Sequence, residues 1–248
     1  MRIYRGTIEL LDYVFYATVE RGKVYETGSF IHNYALAYAL GLVQSDTYTY
    51  ARLEQEPHYL EELTPLNGRL YITPGAPQRV AYRLVQWNTI REGYAFPGKE
   101  RSVGYPDWGF ARVLCPGSRF IFYLLVHDLY GLPDVPALHG LIEGKLVWIR
   151  LGKFPGKARL SAQAANAVEA KSGPFQADIF LNWRDLETDP VVCDVVAASL
   201  PTRLLSRAYF EDGVHYVACF GDEVIRFPAR MRFLARPPET RRRARRRS

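Results

Sequence analysis

Alternation of apolar and polar residues with a period of two recurs along this chain and restricts its fold more than any other feature. From Arg2 to Leu11, Tyr4, Gly6, Ile8 and Leu10 share one face while Arg5, Thr7 and Glu9 share the other, the pattern of a half-buried strand. Gly68–Thr73, Arg79–Thr89 and Lys145–Leu151 read the same way. Arg119–Val126 is almost continuously apolar, as expected of a strand buried on both faces. Lys157–Ala164 is rich in alanine, yet Ala158, Leu160, Ala162 and Ala164 alternate with Arg159, Ser161 and Gln163, which favours a strand. The last third predicts strands at Phe175–Leu181, Val191–Ala198, Leu204–Phe210, Val214–Phe220 and Val224–Phe227. Asp212-Gly213 between two of them is a hairpin-turn signal.

Only one segment carries a clear helical period. Ile31, Tyr34, Ala35, Tyr38 and Leu42 recur at helical spacing, Ser29 is placed to cap the start, and Gly41 sits where a left-handed residue ends a helix. Residues 44–68 are polar and turn-rich, which predicts an irregular connection. Residues 91–108 hold Gly93, Pro97, Gly98, Gly104 and Pro106 between strand-like runs, which predicts a long hairpin with a mobile tip. One early helix among many strands makes the fold class α+β with an antiparallel sheet, compatible with a ferredoxin-like unit.

The chain of 248 residues is 48% hydrophobic, enough for one sizeable core. No apolar run approaches the roughly 20 residues that span a bilayer, and the first residues lack the apolar block of a signal peptide. A cytoplasmic protein without membrane contact is expected. Cys115, Cys193 and Cys219 are scattered and never form Cys-x-x-Cys, which disfavours a disulfide framework or zinc knuckle. The net charge of +6 is mostly a property of the tail, because residues 239–248 hold six arginines and one glutamate. Residues 237–248 are expected to form a disordered arginine-rich tail behind a single domain of residues 1–236. Evidence for a polyanion partner must therefore come from local clustering.

Three clusters qualify. From Arg150 to Arg159 the chain carries Arg150, Lys153, Lys157 and Arg159 with no acid, along with Gly152, Gly156 and Phe154. Glycines admit a close backbone approach and Phe154 could stack on a base, so the segment suits a ribose-phosphate strand; a solvated basic turn is the plainer reading. Its likeness to a phosphate-binding P-loop fails on spacing and on Ala158, which stands where a hydroxyl is required. The hairpin tip offers Lys99 and Arg101 for phosphates and Tyr105 or Trp108 as an aromatic wedge, or else charges for solubility. At the helix start, His32 and Asn33 lie beside free backbone N–H groups, or simply cap and pack. Catalysis has little support: the five histidines show no metal-ligand spacing, no G-x-S-x-G elbow exists, and His32, Tyr34 and Lys153 are the one trio available for metal-independent RNA cleavage.

The segments Ile3–Leu11, Tyr25-Glu26-Thr27 and Ile31–Leu42, then Leu66-Asn67, Tyr71–Pro74, Ile149–Phe154 and Lys157-Ala158-Arg159, with a looser Leu181–Asp185, resemble the Csc-one proteins, the Cas five subunits of type I-D CRISPR systems. The resemblance implies an RRM/ferredoxin-like (RAMP) fold, an antiparallel sheet with few helices and a protruding β-hairpin thumb at about residues 88–112. It implies a subunit of the type I-D Cascade effector complex in antiviral defence that binds and caps the 5′ handle of crRNA. Its partners would be the Cas seven backbone subunit and a Cas ten-like large subunit, with target DNA near the PAM within reach of the thumb.

That reading implies no enzyme, no cofactor and no metal. Its RNA contacts would be Arg150, Gly152, Lys153, Phe154, Gly156, Lys157, Arg159, His32 and Asn33, with Lys99, Arg101 and Trp108 on the thumb. Two alternatives stay open: a metal-independent endoribonuclease processing precursor crRNA, and a protein–protein adaptor with incidental RNA contact.

Overall fold

The computed structural model describes residues 1–16, 18–21, 24–43, 58–90, 106–153, 156–198 and 201–236; the side chains of residues 20, 21, 87–90 and 106–108 are not described. The chain opens with β1 (Arg2–Leu10), then a small ribbon of β2 (Val19–Arg21) and β3 (Val24–Glu26) before α1 (Asn33–Ala39). A short α2 (Tyr59–Leu63) runs into a 3-10 turn (Thr64–Leu66), so the latter part of the predicted irregular connection is helical. Next come β4 (Leu70–Ile72), β5 (Ala76–Arg79), β6 (Tyr82–Ile90), β7 (Pro106–Leu114) and β8 (Arg119–Val126). Then follow α3 (Pro136–Ile142), β9 (Val147–Leu151) and β10 (Gly156–Ala164). The remainder is β11 (Ala167–Ser172), β12 (Phe175–Gln176), β13 (Leu181–Asn182), β14 (Val192–Ala197), β15 (Leu204–Phe210), β16 (Val214–Phe220) and β17 (Glu223–Pro228).

The central sheet runs β4-β8-β1-β10-β9, with β5 also on β8. Every ladder in it is antiparallel. With α1 after β1 and α3 after β8, the order β10-β1-β8-β4 is that of a ferredoxin-like βαββαβ unit, to which β9 adds an edge strand. Alternation sets the faces. Ile8, Leu10, Phe120, Phe122, Ala158 and Leu160 are buried, and α1 and α3 pack over that side of the sheet. β8 is covered on its other face too, because Tyr123 meets Phe227 at 4.9 Å between ring centroids. This explains the continuous apolar run. The buried cluster is contiguous from Ile3 through Phe233.

β6 and β7 pair from Tyr82↔Leu114 to Ile90↔Pro106, a long hairpin arm joined to the ribbon by a parallel β3–β7 contact. Residues 91–105, including Lys99, Arg101 and Tyr105, lie outside the described residues.

Three expectations need correction. The helix starts at Asn33 and not after Ser29, because Ile31 is held extended by paired bonds with Gly75, at 3.0 and 2.7 Å. Phe175–Leu181 is two short strands, since Asp178 leaves the ladder to accept from the Arg226 backbone N–H at 2.9 Å. Asp212-Gly213 does not close a hairpin: β15 pairs with β12, β13 and β14, whereas β16 pairs with β11 and β17. The turn passes the chain from one sheet to another.

Candidate nucleic-acid interface

The edge formed by β9 and β10 carries the basic segment. Val147, Ile149 and Leu151 point into the core, so Trp148 and Arg150 must face out. On β10, Gly156, Ala158 and Leu160 are buried, which turns Lys157 and Arg159 outward. Register then places Lys157 opposite Arg150, and Arg159 opposite Trp148. Gly152 turns the chain after β9 with φ +92, a left-handed conformation that suits glycine. The following Lys153 is exposed, and its backbone N–H donates to the Phe15 carbonyl at 2.9 Å. The segment after β1 thus clamps the turn from behind, helped by Lys157 N–H donating to Asp12 Oδ2 at 3.1 Å.

Beside this edge lies a cavity of about 730 Å³. Tyr16, Phe30, Tyr38 and Tyr59 supply an aromatic lining, while Arg150, Gly152 and Lys153 form a cationic wall. Neither cation has an acidic partner among the described residues. Burial pushes the Tyr16 phenol up to about 12, with a backbone hydrogen bond from Gly152 opposing it, so this hydroxyl stays protonated at neutral pH. Aromatic rings with cations at the rim can stack bases and neutralise phosphates.

Arg159 is different. Glu9 accepts from both Arg159 and, at 3.2 Å, Arg119 across the β10-β1-β8 ladders. The Arg159 bond first, and then that from Arg119, hold the Glu9 carboxyl below its ordinary value. One carboxylate is shared by two guanidiniums, so the row keeps a net positive charge but its cations are engaged.

Residues 1–236 match the family model described as Type I-D CRISPR-associated protein Cas5/Csc1. The chain belongs to this family. No curated protein matches it. Among solved structures it is similar to a chain of the Type III-B Cmr-beta bound to cognate target RNA and AMPPnP, at 12% identity and a TM-score of 0.44, covering 90% of this chain and 86% of that one. It is also similar to a CRISPR protein from Archaeoglobus fulgidus, at 10% identity and a TM-score of 0.38, covering 92% of this chain and 99% of that one.

In this Cas5/Csc1 chain the sequence-derived residues divide into groups. Arg150, Gly152 and Lys153 line the cavity, with Lys157 adjacent on the outer face. Gly156 has another job: a Cβ there would lie 2.6 Å from the Tyr13 carbonyl oxygen, so the missing side chain admits the protein's own backbone and not a ligand. Phe154, Lys99 and Arg101 lie outside the described residues, and of Trp108 only its place in β7 opposite Asn88 is described.

The helix start is not an open anion site. Asn33 is fully buried; its amide donates to Asp185 Oδ2 at 2.7 Å and accepts from Asn182 at 3.1 Å. His32 is the N-cap, its Nδ1 accepting from Tyr34 N–H at 3.2 Å and its Nε2 paired with the Thr202 hydroxyl at 2.8 Å. Burial pushes its pKa down to about 3, so the ring presented to the cavity wall is neutral. Tyr34 donates to Asp185 Oδ1 at 2.8 Å, deep in the core. His32 and Lys153 do share the cavity, but Tyr34 is committed elsewhere, and the trio does not assemble.

The aromatic lining draws on residues far apart in the sequence. Tyr38 is one helical turn from Tyr34 and was legible as helix periodicity. Tyr16, Phe30 and Tyr59 come from segments with no shared pattern, so no sequence signal joins them.

Proposed function

We propose that this chain is the non-catalytic subunit of a type I-D CRISPR effector complex that binds the 5′ handle of crRNA in the cavity beside α1. The observation that carries the reading is the convergence of Arg150, Gly152 and Lys153 with Tyr16, Phe30, Tyr38 and Tyr59 around one cavity. Lys153 and Arg150 neutralise phosphates at the rim, Lys157 extends the cationic track onto the sheet face, and the rings take an unpaired nucleotide. The β6–β7 arm is the proposed thumb that closes over RNA or reaches target DNA near the PAM. The Cas seven backbone and the Cas ten-like large subunit are the proposed neighbours.

The non-catalytic role is supported by the engagement of the candidate trio. A general base must be free to take a proton near neutral pH. His32 is held far below that range by burial, and Tyr34 is locked on a buried carboxylate.

The test is binding of handle RNA by the Arg150→Ala/Lys153→Ala/Lys157→Ala variant across a salt series. Weaker binding with a flatter salt dependence is expected, since each lost phosphate contact removes roughly 0.7 from the slope for a single strand. Wild-type affinity and slope would sink the assignment.

A further inference from the structure

Trp148 stands on the outer face of the edge strand with 59% of its surface exposed. Its neighbours on that face are Arg150, two residues along β9, and Arg159, directly across the ladder. Among the described residues no ring or guanidinium stacks on the indole. The rest of the face is not equally open. Toward β8, Tyr123 is covered by Phe220 and Phe227, and Arg5 is paired with Glu223. The half that carries Trp148, Arg150, Lys157 and Arg159 has no such cover among the described residues, and Trp148, Arg150 and Lys157 are exposed there.

We propose that Trp148 is a base-stacking subsite for single-stranded nucleic acid on the outer sheet face, adjoining the aromatic cavity. The proposal takes its ligand class from the reading above but stands on a different surface. Three observations support it. An exposed indole offers a large flat face that stacks any base without sequence preference. The charge around it is complementary to a polyanion, because Arg150 and Lys157 face each other with no acid between them. Continuity is supplied by Arg150, which lines the cavity and also lies roughly 6.6 Å along the strand from Trp148. A strand leaving the cavity past Arg150 meets the indole next. Leu146, also exposed, adds apolar surface at the far end.

The experiment uses the full chain and a ten-nucleotide oligouridine as probe, with binding measured across a salt series and folding checked by thermal unfolding. Trp148→Ala is expected to weaken binding by roughly 5- to 150-fold, the range of one base–aromatic stack, without changing the salt slope. Trp148→Phe is expected to keep most of the affinity. Wild-type affinity in folded Trp148→Ala overturns the proposal; this includes the outcome in which that variant binds oligouridine normally but fails to bind a protein partner. Lys153→Ala, which leaves Arg150 and the Trp148 face intact, separates the two readings when tested on handle RNA. If that variant binds normally while Trp148→Ala is impaired, the cavity assignment falls and the stacking subsite stands; the reverse result removes the subsite and leaves the cavity.

Discussion

Lys157 lies directly opposite Arg150 across the β9–β10 ladder, and neither side chain has an acidic partner among the described residues. Like charges opposed on a sheet face are destabilising. On the adjoining strand β1, Glu9 offsets such repulsion by joining Arg159 to Arg119. The contrast separates cations that serve the sheet from cations free to meet an external anion.

Lys157→Ala is accordingly expected to reduce the salt dependence of RNA binding by about 0.7 in slope, while leaving stability unchanged or slightly improved. Arg159→Ala is expected to change RNA binding less, because its guanidinium is already held by Glu9. Salt titrations of the two variants side by side check this; an Arg159 effect equal to that of Lys157 would contradict the division.

Gly156→Ala drives a methyl toward the Tyr13 carbonyl, 2.6 Å from the ideal Cβ position. Displacing that backbone is expected to cost about 1–3 kcal/mol. Chemical denaturation measures it. A variant as stable as the wild type would show that the Asp12–Tyr13 segment gives way freely.

Asp185 gathers the core around one carboxylate. It accepts from Tyr34 at 2.8 Å, Asn33 at 2.7 Å, Tyr71 at 3.0 Å and the Leu234 N–H at 2.9 Å. Asp185→Ala strips the acceptor from all four donors and is expected to cost about 3 kcal/mol or more. Burial raises the carboxyl to about 6, from an ordinary 3.8, with the four donors opposing. A raised folded-state pKa favours the native state below the unfolded value, and this advantage is lost as pH rises through about 6. Wild type should therefore lose stability relative to Asp185→Asn between about pH 4 and pH 6. A pH-independent difference would mean the carboxyl is not perturbed.

His32 titrates in the opposite sense. Its folded-state pKa is pushed down to about 3 by burial, so the unfolded chain takes up a proton that the native state refuses. Stability from this group is present above about pH 6.5 and is lost as pH falls toward 3. Asn at this position keeps a good N-cap without titrating. Wild type is expected to lose stability relative to His32→Asn on acidification, with the RNA-binding salt slope of the two unchanged. A lower slope in His32→Asn would mean that His32 carries charge at the site.

Much of the sheet was legible because alternation reports burial directly. Arg119–Val126 and Leu204–Phe210 match their strands residue for residue. Lys157–Ala164 behaves as a strand despite its alanines, because Ala158 and Leu160 fill the core side while Lys157 and Arg159 stay out. What failed depended on long-range partners. Nothing near Ser29 reveals that Gly75 holds Ile31 extended and delays the helix. Nothing in Asp212-Gly213 tells that its flanking strands join different sheets. The basic segment was visible as composition, but Gly156 serving Tyr13, Arg159 serving Glu9 and Asn33 serving Asp185 are relations across the fold. Trp148 was hidden for the same reason, since a single aromatic in an alternating strand carries no label until its face is known to be open.

The most direct test is photocrosslinking between this chain and crRNA carrying a reactive base in the 5′ handle, within the assembled effector complex. Crosslinks to Tyr16, Tyr38 or Tyr59, or to the peptide spanning Arg150 and Lys153, are the predicted result. Handle crosslinks that avoid all of these, with Arg150 and Lys153 left freely reactive toward solvent reagents, would contradict the account.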